Sequence, residues 1–308
     1  GRRAGPCVRR AFMTKSRRIP CSDQSLARGD AMYGTASAGH AWALLEVGGG
    51  WGPSAFLDSP SVIDPQLGRA VARRFEQAGM RVAAIRRPGR RPATPRWRWF
   101  LAFSDEGREA LYQGEVSEPG EYLHLAPDGS DGAPCTQPVV AVCAHGRHDQ
   151  CCAVRGRSAA AAIADRFPEI TWECSHLGGD RFAATMLILP EGLCYGRVDS
   201  TDAAELVAMY FDRRLHNSFL RGRTSLPHAV QAAQYFAREA SADDAIDSLS
   251  PLAVDHVDET IRVVLDGGSG PVEVVLGEQM SEPLISMCRA DVAGRVRTFV
   301  LKSVTGAN

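Results

Sequence analysis

The 308-residue chain has almost no lysine: Lys15 and Lys302 are the only two among 35 basic residues, so arginine supplies the rest. A formal net charge of −1 gives the whole chain no electrostatic reason to seek nucleic acid. Long apolar runs are missing too. The longest clearly apolar stretch is residues 183–189, far short of the about 20 residues a membrane-spanning helix needs, so a soluble protein is expected. The glycine-rich GGGWG at residues 48–52 is not followed by a GxGxxG or GK[ST] pattern, which removes the phosphate-cradle reading. No C-x-x-C occurs, and no carboxylate pair stands out as the acid and nucleophile of a glycosidase. The basic start (Arg2, Arg3, Arg9, Arg10) lacks an apolar core, so no secretory signal is expected, and Met13 is the expected natural start. Nine cysteines in such a chain are expected to be mostly reduced and cytoplasmic.

At this length the prior is roughly two domains, and 44% hydrophobic residues suffice to build real cores. Residues 1–30 are polar, with Cys21-Ser22-Asp23 as their chief chemical feature, and are expected to form a flexible basic lead-in. AWALLEV, from residue 41, reads as a buried strand. Residues 64–78 read as a helix with Pro65 at its first position and Gly79 as its stop, and strands follow at 80–85, 98–103 and 110–114. These elements predict an N-terminal α/β domain over residues 31–136. PVVAVC, an alanine-rich helix at 153–167, three short strands and a helix at 202–214 give the order β-α-β-β-β-α over residues 137–240. The runs ETIRVVLDG, PVEVVLGE and RVRTFVLKSV predict a small antiparallel β meander within residues 241–308. The fold class is therefore α/β (α+β), and no internal repeat is evident.

Chemistry concentrates in residues 143–180, where CAHGRHDQCC and TWECSHLGGD bring four cysteines and three histidines into one segment. Thiolate and imidazole are the donors that zinc and iron-sulfur clusters use, and the two ligand-rich loops follow strand ends, where α/β sheets place their sites. CAHGRHDQCCAVRGR, WECSHLGGDRFAATMLILPEGLCYGRV and the earlier WALLEVGGGWG resemble the sucrase/ferredoxin-like family over roughly residues 20–240. The resemblance implies a thioredoxin-like ferredoxin domain with a mixed sheet and a [2Fe-2S] cluster held by two cysteines and two histidines. Carried over, these ligands fall on Cys143, Cys152 and His176. The second histidine of the family's HxGGH falls on Asp180. Two thiolates, one imidazole and one carboxylate would leave such a core with a charge of about −1, between all-cysteine and two-histidine centres, and so at an intermediate potential. Asp180 either ligates iron or pairs with Arg181, in which case Cys174, Cys151, His145 or His148 supplies the fourth ligand, with Cys174 and Cys151 as the named backups. His145 and His148 are expected most simply as loop residues, with hydrogen bonding or proton transfer near the site as their alternative role.

An electron-transfer protein is the first functional expectation. The alternatives are a structural zinc module built from Cys143-x-His145 and Cys174-x-His176, and a thiol oxidoreductase using vicinal Cys151 and Cys152. RRPGRRPATPRWRW, with Arg86, Arg87, Arg90, Arg91, Arg96 and Arg98 around Trp97 and Trp99, is kept from helix by its prolines and is expected as an exposed loop. A solvated surface is its first reading, a dock for an acidic protein redox partner its second and single-stranded nucleic acid its third; for the whole chain neither a nucleic acid nor a membrane partner is expected. Cys7, Cys21 and Cys135 are expected to be dispensable.

Overall fold

The computed structural model describes residues 19–89 and 96–306. In chain order the elements are α1 (Cys21–Arg28), β1 (Ala41–Glu46), α2 (Pro65–Gln77), β2 (Arg81–Arg86), β3 (Trp97–Phe103), β4 (Ala110–Val116), β5 (Ala133–Pro134), β6 (Val139–Cys143), α3 (Arg157–Arg166) and β7 (Thr171–Cys174). They continue as β8 (Met186–Leu189), β9 (Leu193–Tyr195), α4 (Ala203–Phe211), β10 (Leu220–Arg223), α5 (His228–Ser241), β11 (Pro251–Val257), β12 (Thr260–Asp266), β13 (Pro271–Met280) and β14 (Arg297–Thr305).

Local signals account for the elements that matter most. Asp64 caps α2 by accepting from the backbone N–H groups of Gln66 and Leu67 at 2.9 and 3.0 Å, Pro65 occupies the first turn, and Val71 and Phe75 are buried beneath it. The run VVAVC of β6 is buried on both faces, which is why it reads as continuous apolar sequence rather than an alternation.

β1, α2, β2, β3 and β4 form one unit with sheet order β2-β1-β3-β4, and β6, α3, β7, β8 and β9 form a second with order β7-β6-β8-β9. In each, the two strands flanking the helix are parallel and the following strands add antiparallel. The duplication is one of topology. It leaves no repeat in the sequence, because the same architecture needs only the same order of apolar strands and an amphipathic helix. The units join through antiparallel pairing of β2 with β7, confined to Ile85 with Cys174 and Arg86 with Glu173, the carboxyl ends of both strands. Residues 31–136 and 137–240 therefore share one ten-stranded sheet, and one core runs across the joint: Trp42, Leu44 and Ile85 pack in the same cluster as Ala141, Trp172 and Leu187.

The expected C-terminal meander is present with one more strand, in the order β11-β12-β13-β14. Helix α5, which the sequence reading did not single out, lays Val230, Ala233 and Ala237 against Val263, Leu265, Val274 and Leu276.

Two expectations change. The lead-in is helical from Cys21 to Arg28, with Cys21 fully buried, because Ser22 and Asp23 accept hydrogen bonds from Arg155 and the helix has a partner to pack on; residues 1–18 lie outside the described part. The basic segment is largely structural. Arg86 pairs with Glu173 at 2.7 Å and stacks on Trp51, and Arg87 lies 3.7 Å over the Trp172 ring while donating to the carbonyls of Pro168, Glu169 and Thr171. Trp99 is buried, Arg98 sits 3.8 Å from Glu115, and Arg96 is exposed. Arg90 and Arg91 lie outside the described residues.

Candidate functional site

Cys143 is the last residue of β6, and the parallel register sets it beside Cys174, the last residue of β7. The chain then loops back. Asp149 ends the loop by accepting the Cys151 N–H at 2.8 Å, starting the helix that carries Cys152 into one wide π turn before α3 continues. Gly156 lets that turn close on the strand: a Cβ there would lie 1.9 Å from the Cys143 carbonyl oxygen.

The other two donors come from the segment after β7. Gly178 and Gly179 adopt left-handed φ of 92° and 85°, which folds residues 176–180 back on themselves and aims His176 and Asp180 at one centre. A Cβ on Gly179 would meet the Arg221 guanidinium at 2.5 Å, and that guanidinium donates to the Gly178 carbonyl at 2.8 Å. Arg221 is a buried support that sequence reading missed.

The four predicted donors converge. The Cys152 thiol donates to Asp180 Oδ1 at 3.4 Å, and His176 Nδ1 lies 3.1 Å from the same oxygen. Cys152 and His176 both also interact with the Cys143 sulfur. Electrostatics follow from those contacts. Hydrogen bonding from Cys152 outweighs burial and, with His176, holds the Cys143 thiol well below its ordinary range, while the same partnership and burial push Cys152 up. Burial alone would disfavour charge on both His176 and Asp180. Each supports the other instead: His176 rises to about 9, helped by Cys143, and the Asp180 carboxyl falls below its usual value, helped by His148.

The neighbours sort clearly. Asp180 does not pair with Arg181, whose Nε is 3.9 Å from Asp30. Cys174 is a fully buried thiol in the shared core, raised by burial and by the negative charge of Cys143, and it is not among the converging donors. Cys151 points elsewhere, toward Cys21, Cys288 and Asp149, because successive helical side chains diverge by about 100°. His148 stacks on His176 at 3.8 Å, with Nε2 3.8 Å from Asp180 Oδ2, so it completes a His148, His176, Asp180 group able to hold a metal ion. His145 is held apart: its Nε2 donates to the Gly52 carbonyl at 2.7 Å, and burial lowers its pKa below the ordinary imidazole value. The expected zinc set of Cys143, His145, Cys174 and His176 is therefore not assembled among the described residues.

The donor chemistry of this centre suits a metal or cluster. Two sulfurs, an imidazole and a carboxylate meet in a largely buried site, where His176 Nδ1 has Asp180 as its ion-pair partner at 3.1 Å and the buried His148 Nε2 has no hydrogen-bond partner. The donors close on each other through hydrogen bonds that a bound group would replace.

Searches of curated proteins and of solved structures returned no match. Residues 32–222, more than half of the chain, match the family described as sucrase/ferredoxin-like. That match takes in both halves of the large sheet and every residue from Cys143 to Asp180, and the chain belongs to the sucrase/ferredoxin-like family.

Proposed function

We propose that the chain is a one-electron carrier whose [2Fe-2S] cluster is held by Cys143, Cys152, His176 and Asp180. The convergence of these four side chains from a strand end, a helix start and a double-glycine turn supports the reading. A cluster held there would take up and release one electron. The residues around it would set its access and its charge. His176 keeps about 30% of its side chain exposed and, with His145 and His148, lines a cleft of about 340 Å³ that also includes Pro53 and Phe56, so its ring edge is the exit toward a partner. An acidic redox protein would find Arg96 exposed, with Arg90 and Arg91 in the neighbouring sequence. No described helix is long and apolar enough to cross a membrane, and the eight described cysteines are unpaired, which suits a cytoplasmic setting.

A single ion is the second reading, favoured by His148, His176 and Asp180, whose ligand atoms all lie within 4.8 Å of one another. A thiol oxidoreductase acting through vicinal Cys151 and Cys152 loses its basis, because the two thiols face different surroundings. Anaerobic purification separates the first two readings. Brown protein with iron and acid-labile sulfide in equal amounts is expected; colourless protein that holds one ion at His176 and Asp180 and no iron would overturn the cluster.

A further inference from the structure

Away from this centre, three cysteines from distant parts of the chain meet around one carboxylate. The Cys21 and Cys151 sulfurs are 3.7 Å apart, Cys151 and Cys288 3.3 Å, and Cys288 and Cys21 3.5 Å. Asp149 Oδ2 lies 4.0 Å from the Cys21 sulfur, and the four ligand atoms all lie within 4.8 Å of one another. Cys21, Cys151 and Asp149 are buried, and Cys288 is half-buried.

We propose that Cys21, Cys151, Cys288 and Asp149 form a second, structural metal site that takes one zinc ion. The spacing argues for a single ion. Zinc–sulfur bonds of about 2.3 Å in a tetrahedron set sulfurs about 3.8 Å apart, and the three observed edges of 3.3, 3.5 and 3.7 Å lie within about half an ångström of that. Three thiolates and one carboxylate fill a tetrahedron and leave no open position, which is the pattern of a structural rather than a catalytic ion.

The surroundings already hold the ligands in place. Asp149 Oδ1 accepts the Cys151 N–H at 2.8 Å and its Oδ2 accepts the Cys288 N–H at 2.7 Å, which fixes the carboxylate, and the Ser22 hydroxyl donates to the Cys151 sulfur at 3.2 Å. A surface cleft of about 410 Å³ lined by Pro20, Ser22, Cys151 and Arg155 gives an entry path.

The site has a structural purpose. Cys21 starts α1, Asp149 and Cys151 belong to the loop and helix that present Cys152, and Cys288 sits between β13 and β14, so one ion would tie both ends of the chain to the segment carrying the first centre. Cys21 and Cys288 both lie outside residues 32–222, so this site is not part of the stretch that matches the family.

The test uses the full chain purified anaerobically with reductant. Zinc per chain is measured in the parent, in a Cys21→Ser/Cys288→Ser double variant and in a Cys143→Ser/Cys152→Ser double variant. One zinc per chain is expected in the parent and in the second variant, and none in the first. Because Cys288 lies in a loop, Cys288→Ser alone is a milder variant. It should keep the parent's circular dichroism while weakening zinc binding by about 100-fold or more, since loss of a supporting partner alone costs about 10–100-fold. Cobalt titrated into metal-free protein should give tetrahedral thiolate bands that vanish in Cys288→Ser. A parent that neither holds nor takes up zinc, zinc retained in Cys21→Ser/Cys288→Ser, or a Cys151 disulfide to Cys21 or Cys288 in metal-free parent under these reducing conditions would overturn the site.

Discussion

Cys151 and Cys152 are consecutive in the chain, yet their sulfurs belong to different centres: Cys152 faces Asp180 at 3.4 Å and Cys151 faces Cys288 at 3.3 Å. The wide turn that begins at Cys152 spreads them to either side of the same helix start. The two cysteines should therefore be separable by mutation. Cys152→Ser should remove the visible absorbance and the iron, whereas Cys151→Ser should keep both. Loss of iron in equal measure from the two variants would show that they serve one site.

Gly156 controls how closely that helix start approaches β6. Its substitution by alanine places a Cβ 1.9 Å from the Cys143 carbonyl oxygen, and backbone has to move because no flexible side chain can yield. Gly156→Ala should lower stability by about 1–3 kcal/mol, as overpacking does, and should reduce metal content by separating Cys152 from Cys143. Urea unfolding and metal analysis of the same preparation check both halves; a stable variant with full metal would mean that the contact is not what positions Cys152.

How much of this was legible follows from where each residue sits. Cys143, Cys152, His176 and Asp180 are singled out through the family resemblance, and their convergence follows from one short segment that carries them at a strand end, a helix start and a double-glycine turn. Cys21 and Cys288 could not be read, since they reach Cys151 across 130 and 137 residues and no periodicity encodes such a contact. Helix α1 was hidden for a related reason. CSDQSLAR is too short and polar to stand alone, and its helix depends on burying Cys21 and Ser25 and on the Asp23 to Arg155 bridge. Arg86 and Arg87 misled in the opposite direction: a run of arginines reads as solvated, but each of these has an aromatic face and a set of acceptors waiting in the fold.

Arg87 gives a direct test of that structural role. One of its nitrogens serves three carbonyls at 2.8–3.0 Å beyond α3, and its guanidinium covers Trp172. Arg87→Ala should cost about 2–3 kcal/mol, from hydrogen bonds to a charged donor and lost packing. Arg87→Lys should recover only a small part, because an ammonium lacks the planar surface that stacks on the indole. Unfolding midpoints that match the parent in both variants would return Arg87 to the solvated surface.

In the proposed ligand set Asp180 fixes the charge of the first centre. It is 4% exposed, touches Cys152 and His176 and has His148 within 3.8 Å, so its carboxylate faces these donors rather than solvent. All-cysteine plant-type centres lie near roughly −400 mV and two-histidine centres between roughly −150 and +300 mV, because each neutral ligand removes negative charge from the core. Asp180→His should therefore raise the reduction potential and add a titrating imidazole that steepens its dependence on pH. Asp180→Ala takes away the carboxylate and leaves His148, stacked at 3.8 Å on His176, as the nearest replacement donor, in preference to Cys174, which is packed in the core. The alanine variant should then show an altered paramagnetic spectrum and either lower iron content or a potential shifted upward. An Asp180→Ala protein with the parent's spectrum, potential and iron would remove Asp180 from the ligand set.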